Sequence, residues 1–455
     1  MQTKAKMASI IAMLGMGSCV LIGCSGQAQA AQIEYGIGYN GIYSDNIYRT
    51  YADTQDEYIS LLRGLFSYHE QTRRVTSLLD VEATGREFAL GTYNNDVLFG
   101  VDSLTHVVIL PKIFSLSERD MFTQVPIDPR FVMTPTNLQN TNALSVGPNF
   151  SWYMTDIDAL KLHLRYQNFY YASVPTSNYR WLAHARFVHY FTRRTDLSLN
   201  FVPSNVLYRH TTLNPDYRRQ DAYVGFATRL GLTSLTADAG RTRIAPNGSG
   251  NTMNGNLERI TLLTEPSRHS RITLAGDRSY GDSGRYALLE SPASNLVLPV
   301  ATNPGQIVGG GLYYAKTATL NFSYLRPYGT DQAAVFVQRL NYLTAPLSQS
   351  LDGGAFSVGY DLSNRWTDSL FGDYVRVNYY EYHTDTRDFG GGMRVRYRLT
   401  PHLSVSLEGM YDRANSTDTA LEYNEWRAIV GVSYLTNPRR MRSNPFVHFT
   451  NPVVW

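Results

Sequence analysis

The sequence predicts an all-β chain, a transmembrane antiparallel up-and-down β-barrel of about 20 strands within a range of 16–20. Three observations carry that expectation. The first is a hairpin from Gly390 to Arg413, in which Met393, Val395, Tyr397 and Leu399 alternate with Arg394, Arg396 and Arg398. After Pro401-His402, Leu403, Val405, Leu407 and Tyr411 alternate with Ser404, Ser406, Glu408 and Asp412. Side chains along a strand point to opposite faces with period two, so each arm has one oily and one charged face. The second is recurrence: the pattern repeats along the chain, with short polar turns between some strands and long loops between others. The third is what is missing. Beyond the first 30 residues no run of 18 apolar residues occurs, although a spanning helix needs about 20. The 33 tyrosines, 19 phenylalanines and 5 tryptophans instead suit strands and the aromatic girdles of membrane barrels.

Residues 1–30 read as a targeting segment, with Lys4 and Lys6 as its basic start and an apolar stretch from Met7 to Gly23. Ala28-Gln29-Ala30 then offers a small-x-small cleavage site before Ala31. Leu21-Ile22-Gly23-Cys24 also fits a lipoprotein signal that would leave Cys24 lipidated. The polar stretch from Cys24 to Gln29 favours ordinary cleavage, and either route exports the chain across the inner membrane. Cys19 and Cys24 both lie in this segment, so cleavage after Ala30 leaves no disulfide and no thiolate chemistry. Loss of Lys4 and Lys6 takes the formal charge from +3 to +1, so bulk charge says nothing about partners, and no nucleic-acid partner is expected.

Residues 31–435 read as the barrel. Ile33, Tyr35, Ile37 and Tyr39 open it, the loop SDNIYRT follows, and strands are expected near 57–68 and 75–84. Asp96 to Leu104 and Val107 to Glu118 form the next pair, and residues 119–140 read as a long loop around Pro126, Pro129 and Pro135. Thr141 to Met154 returns, and Leu160, Leu162, Leu164 and Tyr166 then alternate with Lys161, His163, Arg165 and Gln167. Trp181, Ala183, Ala185 and Phe187 alternate with His184 and Arg186, and TRRTD turns into Leu197, Leu199 and Phe201. Strands follow at 221–230, 234–243, 256–264 and 271–279, and residues 280–308 form the longest loop. The barrel finishes with strands at 311–325, 332–343, 355–363 and 371–383, the opening hairpin, and 425–435. An even count places both ends of the barrel on the periplasmic side. Residues 436–455 are a tail whose Pro438, Pro445 and Pro452 argue against a strand. Its terminal Trp455, with Phe449 and Val453 behind it, nonetheless resembles the signal by which barrel-assembly machinery recognises its clients.

The segments YSDNIYRT, QNTNALSVGPNFSWYMTDIDALKLHLRYQNFYY, RYRLTPHLSVSLEGMYDR and EWRAIVGVSYL resemble the β-barrel porin family of exopolysaccharide-biosynthesis loci in Gram-negative bacteria. The resemblance spans about residues 33–435, and the proline-rich tail departs from it. It implies an outer-membrane protein that takes part in exporting an exopolysaccharide, with outer-membrane lipid and an anionic polysaccharide as partners. It brings no catalytic residues and no cofactor.

Alternation puts Lys161, His163, Arg165, His184, Arg186, Arg229, Arg271, Arg376, Arg394, Arg396, Arg398 and Arg427 on the polar, inward face. Asp80, Glu82, Asp238, Asp277, Asp361 and Glu408 are the acidic residues of that face. Such a wall either guides an anionic chain, with Tyr374 and Tyr380 stacking on sugar rings, or is neutralised internally by pairing across strands. The row Arg394, Arg396 and Arg398 makes the sharper demand, because like charges in a row need acidic neighbours. No HExxH, GxSxG or phosphate-binding glycine loop is present, so the reading is of a non-enzyme without metal or cofactor.

Overall fold

The structure, a computed structural model, describes residues 31–436 apart from 129, 132–133, 212–213, 249–250, 283–310 and 344. The cleavage and lipidation positions up to Ala30 and the tail beyond Thr436 lie outside the described residues. Twenty strands are present among the described residues. They are β1 (Gln32–Ser44), β2 (Glu57–Gln71), β3 (Val75–Phe88), β4 (Asp96–Leu110) and β5 (Phe114–Pro126). Next come β6 (Leu138–Tyr153), β7 (Asp158–Tyr171), β8 (Asn178–Thr192), β9 (Thr195–Tyr208) and β10 (Tyr217–Leu230). Then follow β11 (Thr233–Pro246), β12 (Met253–Ser267), β13 (Ser270–Asp282), β14 (Leu312–Arg326) and β15 (Gly329–Tyr342). The last are β16 (Gln349–Asp361), β17 (Trp366–Tyr379), β18 (Thr384–Arg398), β19 (Leu403–Ser416) and β20 (Tyr423–Leu435).

Every strand pairs antiparallel with its sequence neighbour, and β1 pairs with β20 from Gly36↔Leu435 to Ser44↔Arg427. Closure leaves no free edge strand, so backbone N–H and C=O groups along the paired stretches find partners without water. At one end the connections are two to four residues long, as at Arg193-Arg194 and Gly231-Leu232. Gly231 carries a φ of 61° there, a left-handed value that glycine adopts without steric cost. The other end carries the long loops, including 45–56 and 127–137.

Two boundaries differ from the sequence reading. The expected break between Leu104 and Val107 is absent, because Thr105 and His106 pair with Ser77 and Thr76 on β3 and with Glu118 and Ser117 on β5. The turn comes at 111–113, where Pro111 has no N–H to offer a ladder. The long loop expected at 119–140 shrinks to 127–137, because Arg119↔Ser145 through Pro126↔Leu138 are in register. Polar residues on both faces hid this strand. Glu118 and Asp120 share the face of Leu116 and Phe122, where Ser103 Oγ donates to Glu118 at 3.1 Å and Asn142 Nδ2 donates to Asp120 at 2.7 Å. The 280–308 loop also starts late, since β13 runs to Asp282, and the rest of it falls outside the described residues.

The outward face is apolar. Ile33 and Leu407 are each 59% exposed, Val335 is 54% exposed, and Trp181, Phe201, Leu274, Leu320 and Trp426 share that face around the ring. A water-soluble protein of this size would bury such residues; here they form the lipid-facing band of a membrane-spanning barrel. The inward face is mainly polar, but toward the loop end it is filled by apolar clusters. Ile42, Ile59, Leu61, Phe88, Phe371, Met410 and Ile429 form one, and Val206, Tyr208, Tyr217, Ile244 and Leu312 form another.

The two faces should respond oppositely to charge. Val335→Arg, on the outward face near mid-strand, should cost about 2–4 kcal/mol in a reversible unfolding titration. Ser145→Arg, half-exposed on the inward face, should stay within about 1 kcal/mol.

Candidate functional site: the charged interior

The inward face of β7 carries Lys161, His163 and Arg165 in succession, because odd positions face inward while Leu160, Leu162 and Leu164 face outward. On β8, His184 lies opposite His163 and Arg186 opposite Lys161, so both strands share the face. Lys161 Nζ donates to the Tyr190 hydroxyl at 3.2 Å. Arg165 donates to the carbonyl oxygens of Pro148 at 3.1 Å and Leu164 at 2.8 Å, and to the Asn149 side-chain oxygen. All of these acceptors are neutral. The His163 and His184 rings lie 5.6 Å apart, and His184 Nε2 is 3.0 Å from Asn200 Oδ1. Among the described residues, only Arg186 in this group meets a carboxylate, Asp196 at 3.2 Å. The strip is partly exposed, so water reaches it.

Elsewhere several interior arginines are paired with carboxylates. Arg394 Nε donates to Glu408 at 2.8 Å, directly across the β18–β19 ladder, with both side chains largely buried. Arg396 is also partnered, and Arg398 lies on the same face at the short-turn end. The arginine row is therefore held in the wall by cross-strand acid at its inner end, the outcome that like charges in a row require. Arg427 binds Asp412, Arg63 meets Glu82 at 3.0 Å, and Arg259 lies 3.1 Å from Asp277 and 3.8 Å from Asp238. Asp80 lies opposite Asp102 on the inward faces of β3 and β4, and Thr367 donates to Asp361 at 2.6 Å. Arg229 and Arg271 take inward positions close to the short-turn rim, where Arg271 lies 3.6 Å from Glu265.

Two expected residues are on the wrong side. Arg376 pairs with Asp352 and Arg387 across the ladders, on the face of the exposed Leu370 and Phe389, and donates to Asp385 at 2.7 Å. Tyr374 shares that outward face, its ring 4.9 Å from Phe389. The misassignment has a physical cause: on β17 the inward positions are Phe371, Asp373, Val375 and Val377, so polarity does not mark the inside. Tyr380 lies beyond the end of β17, in the loop between β17 and β18.

The loop end of β13 crosses the inner face toward β8 and β10. Pairing of β12 with β13 stops at Glu258↔Arg278, whereas β13 and β14 stay paired to Asp282↔Leu312. The Tyr280 ring covers Gly255, where any Cβ would collide with it. Asp282 then accepts from Arg180 Nη2 at 2.8 Å and from the Tyr217 hydroxyl at 2.8 Å, tying β13 to β8 and β10. Arg180 and Asp282 are both buried, and the Arg180 guanidinium stacks 4.5 Å over Phe169. Alternation along β8 places Arg180 inward, but nothing local in the sequence pairs it with a residue 102 positions away. Removing one partner strands a buried charge, so Asp282→Asn should lower unfolding stability by about 3–5 kcal/mol, more than Arg180→Met/Asp282→Leu together.

At the loop end, a cavity of about 390 Å³ opens between the 45–56, 89–95 and 127–137 loops and β18–β20. Tyr48, Arg49, Tyr93, Arg130, Phe131 and Tyr423 line it. Arg49 donates to Glu425 at 2.8 Å and lies over the Tyr423 ring. Burial disfavours its charge, but Glu425, Tyr423 and Asp412 outweigh burial and raise its pKa. In the 127–137 loop, burial would raise the Asp128 carboxyl, yet Arg130, at 2.6 Å, and its backbone N–H hold it below the usual value. A depressed folded pKa stabilises above the unfolded value, about 3.9, and is lost as pH falls through the folded one. Protection of the backbone amides around Asn137, whose side chain bonds the Asp128 and Phe131 carbonyls, relative to the intrinsic exchange rate at each pH, should therefore fall below about pH 4. Asp128→Asn should remove that acid step.

No family model and no curated protein matches the chain. Among solved structures it is similar to the FrpB iron transporter from Neisseria meningitidis (F3-3 variant), at 10% identity and a TM-score of 0.45, covering 88% of this chain and 81% of that one. OccK2 (OpdF) of Pseudomonas aeruginosa gives 11% identity and a TM-score of 0.39, covering 90% and 100%. A loop-deletion form of OmpT, an outer membrane protein of Vibrio cholerae, gives 9% identity and 0.36, covering 90% and 100%. Likeness of this degree does not distinguish one large barrel's cargo from another's.

Proposed function

We propose that the protein is a porin-type channel of a Gram-negative outer membrane, with an interior that favours anionic solutes. The observation that carries this reading is the β7–β8 strip. Lys161, His163 and Arg165 line the inward face without a carboxylate partner among the described residues, in an interior where Arg394, Arg427, Arg63 and Arg259 are all paired. A solute anion is thus drawn to the β7–β8 wall. At an effective dielectric near 20, each cation attracts a solute charge about 7 Å away by roughly 2 kcal/mol before salt screening.

Reversal potentials across a planar bilayer containing the refolded barrel test this. Lys161→Gln/Arg165→Gln/Arg186→Gln should abolish anion preference while leaving the folded, heat-modifiable fraction unchanged. Unaltered selectivity would remove the strip from the ion path.

An anionic exopolysaccharide, the cargo implied by the sequence resemblance, belongs to the class this strip would attract. Cells carrying the triple variant should then secrete less polymer. Normal secretion beside lost small-anion selectivity would make the barrel a general anion porin. A second reading, a filled barrel acting as an anchor or assembly factor, draws on the apolar clusters at the loop end. A folded barrel with no conductance at all would favour it.

A further inference from the structure

Near the loop end of β10–β15 the outward face stops being apolar and becomes cationic. Arg278, Lys316 and Arg339 lie directly opposite one another across β13, β14 and β15. Arg241 and Arg243 project outward from β11, with Arg218 beside them on β10. Lys316, Arg339, Arg218, Arg241 and Arg243 are exposed, and among the described residues none of these five has an ion-pair partner. The one acid in the row is Glu258, opposite Arg278 and 3.5 Å from it. Directly below, Ile260, Gly276, Ala318 and Val337 continue the same face as apolar wall.

Like charges facing each other across a ladder repel, and nothing in the barrel forces these positions to be basic. Inside, Arg394, Arg427, Arg63 and Arg259 are held by carboxylates; this outer group has one carboxylate for six cations. Lys316 is four residues from the loop end of β14, roughly 10 Å below the rim at about 3.3 Å per residue and a tilt near 40°. There the outward face changes from apolar to cationic, as a barrel wall does where acyl chains give way to lipid headgroups. A ligand that offers several negative charges at this level, with chains to cover the apolar wall beneath, satisfies both halves of the surface.

We infer that the outer face of β10–β15 is a binding site for a phosphorylated glycolipid of lipid A type in the outer leaflet. Its phosphates bridge Lys316 and Arg339 on one side and Arg218, Arg241 and Arg243 on the other, and its acyl chains lie on Ile260, Leu274 and Leu320. The inference is independent of what passes through the barrel.

The test uses the full mature barrel refolded in uncharged detergent, with lipid A, phosphatidylglycerol or phosphatidylcholine added, and retained lipid counted by native mass spectrometry. Wild type should retain lipid A in preference to both phospholipids. Lys316→Gln/Arg339→Gln should weaken retention about 25-fold, about fivefold for each charge removed. Arg73→Gln/Arg74→Gln, in the short turn at the opposite rim, should leave it unchanged, and a heat-modifiability gel confirms that both variants are folded. Equal retention of lipid A by wild type and the Lys316/Arg339 variant would overturn the inference. Equal retention of phosphatidylglycerol and lipid A would overturn the glycolipid assignment. A lipid-free dimer that the double variant abolishes would assign the face to a second copy and overturn it as well.

Discussion

The structure depends on one constraint: in a hydrocarbon solvent, every backbone N–H and C=O must be satisfied by the chain itself. Twenty antiparallel strands meet it only because β1 closes on β20, from Gly36↔Leu435 to Ser44↔Arg427. The ladder then dictates everything attached to it. Period-two geometry sends one residue to lipid and the next to the interior, so each strand must satisfy two solvents at once. Local accommodations follow from the same ladder. Gly147 sits where a Cβ would collide with the Leu164 carbonyl oxygen, and pairing between β6 and β7 lapses at 147–148 before resuming in the same register.

Inside, the constraint becomes electrostatic. Closing the ring packs inward charges from neighbouring strands side by side in a partly dehydrated space, where an unpaired charge is costly. Several arginines of the wall answer by pairing across the ladder, as Arg394 does with Glu408 and Arg427 with Asp412. The β7–β8 strip answers differently. Its cations lean on the Tyr190 hydroxyl, on carbonyl oxygens and on Asn149, and stay partly exposed, which is tolerable only where water can reach them. A wall that keeps its positive charge beside water can act on a passing anion; a neutralised wall cannot.

Outside, the apolar band is broken in two ways. Glu118 and Asp120 are placed within it and are held by Ser103 and Asn142, so the chain supplies their hydrogen bonds itself. Of the cations of β10–β15, nearer the rim, Arg278 is supplied by Glu258 and the Tyr314 hydroxyl, and the other five have no ion-pair partner among the described residues. The hairpin root at Asp282 is a third accommodation: the loop end of β13 crosses the inner face toward β8 and β10, and a buried ion pair with Arg180 fixes the point from which the longest connection departs.

The sequence by itself determined the fold class, a strand count between 16 and 20 and the face of most residues, since a period of two is a local property that survives without tertiary information. It read Lys161, His163, Arg165, His184 and Arg394 to the same face on which the structure puts them. It failed where both faces of a strand have similar polarity. On β17 the inward Phe371 and Val375 and the outward Arg376 reverse the usual pattern, and on β5 Glu118 and Asp120 disguised a strand as a loop. Which charges neutralise one another was beyond it altogether. Arg180 and Asp282 are 102 residues apart, and Arg49 and Glu425 are 376 apart. Only ring closure and the crossing of the inner face by the loop end of β13 bring such pairs together, because contact across a barrel depends on shear and closure, which no local pattern encodes.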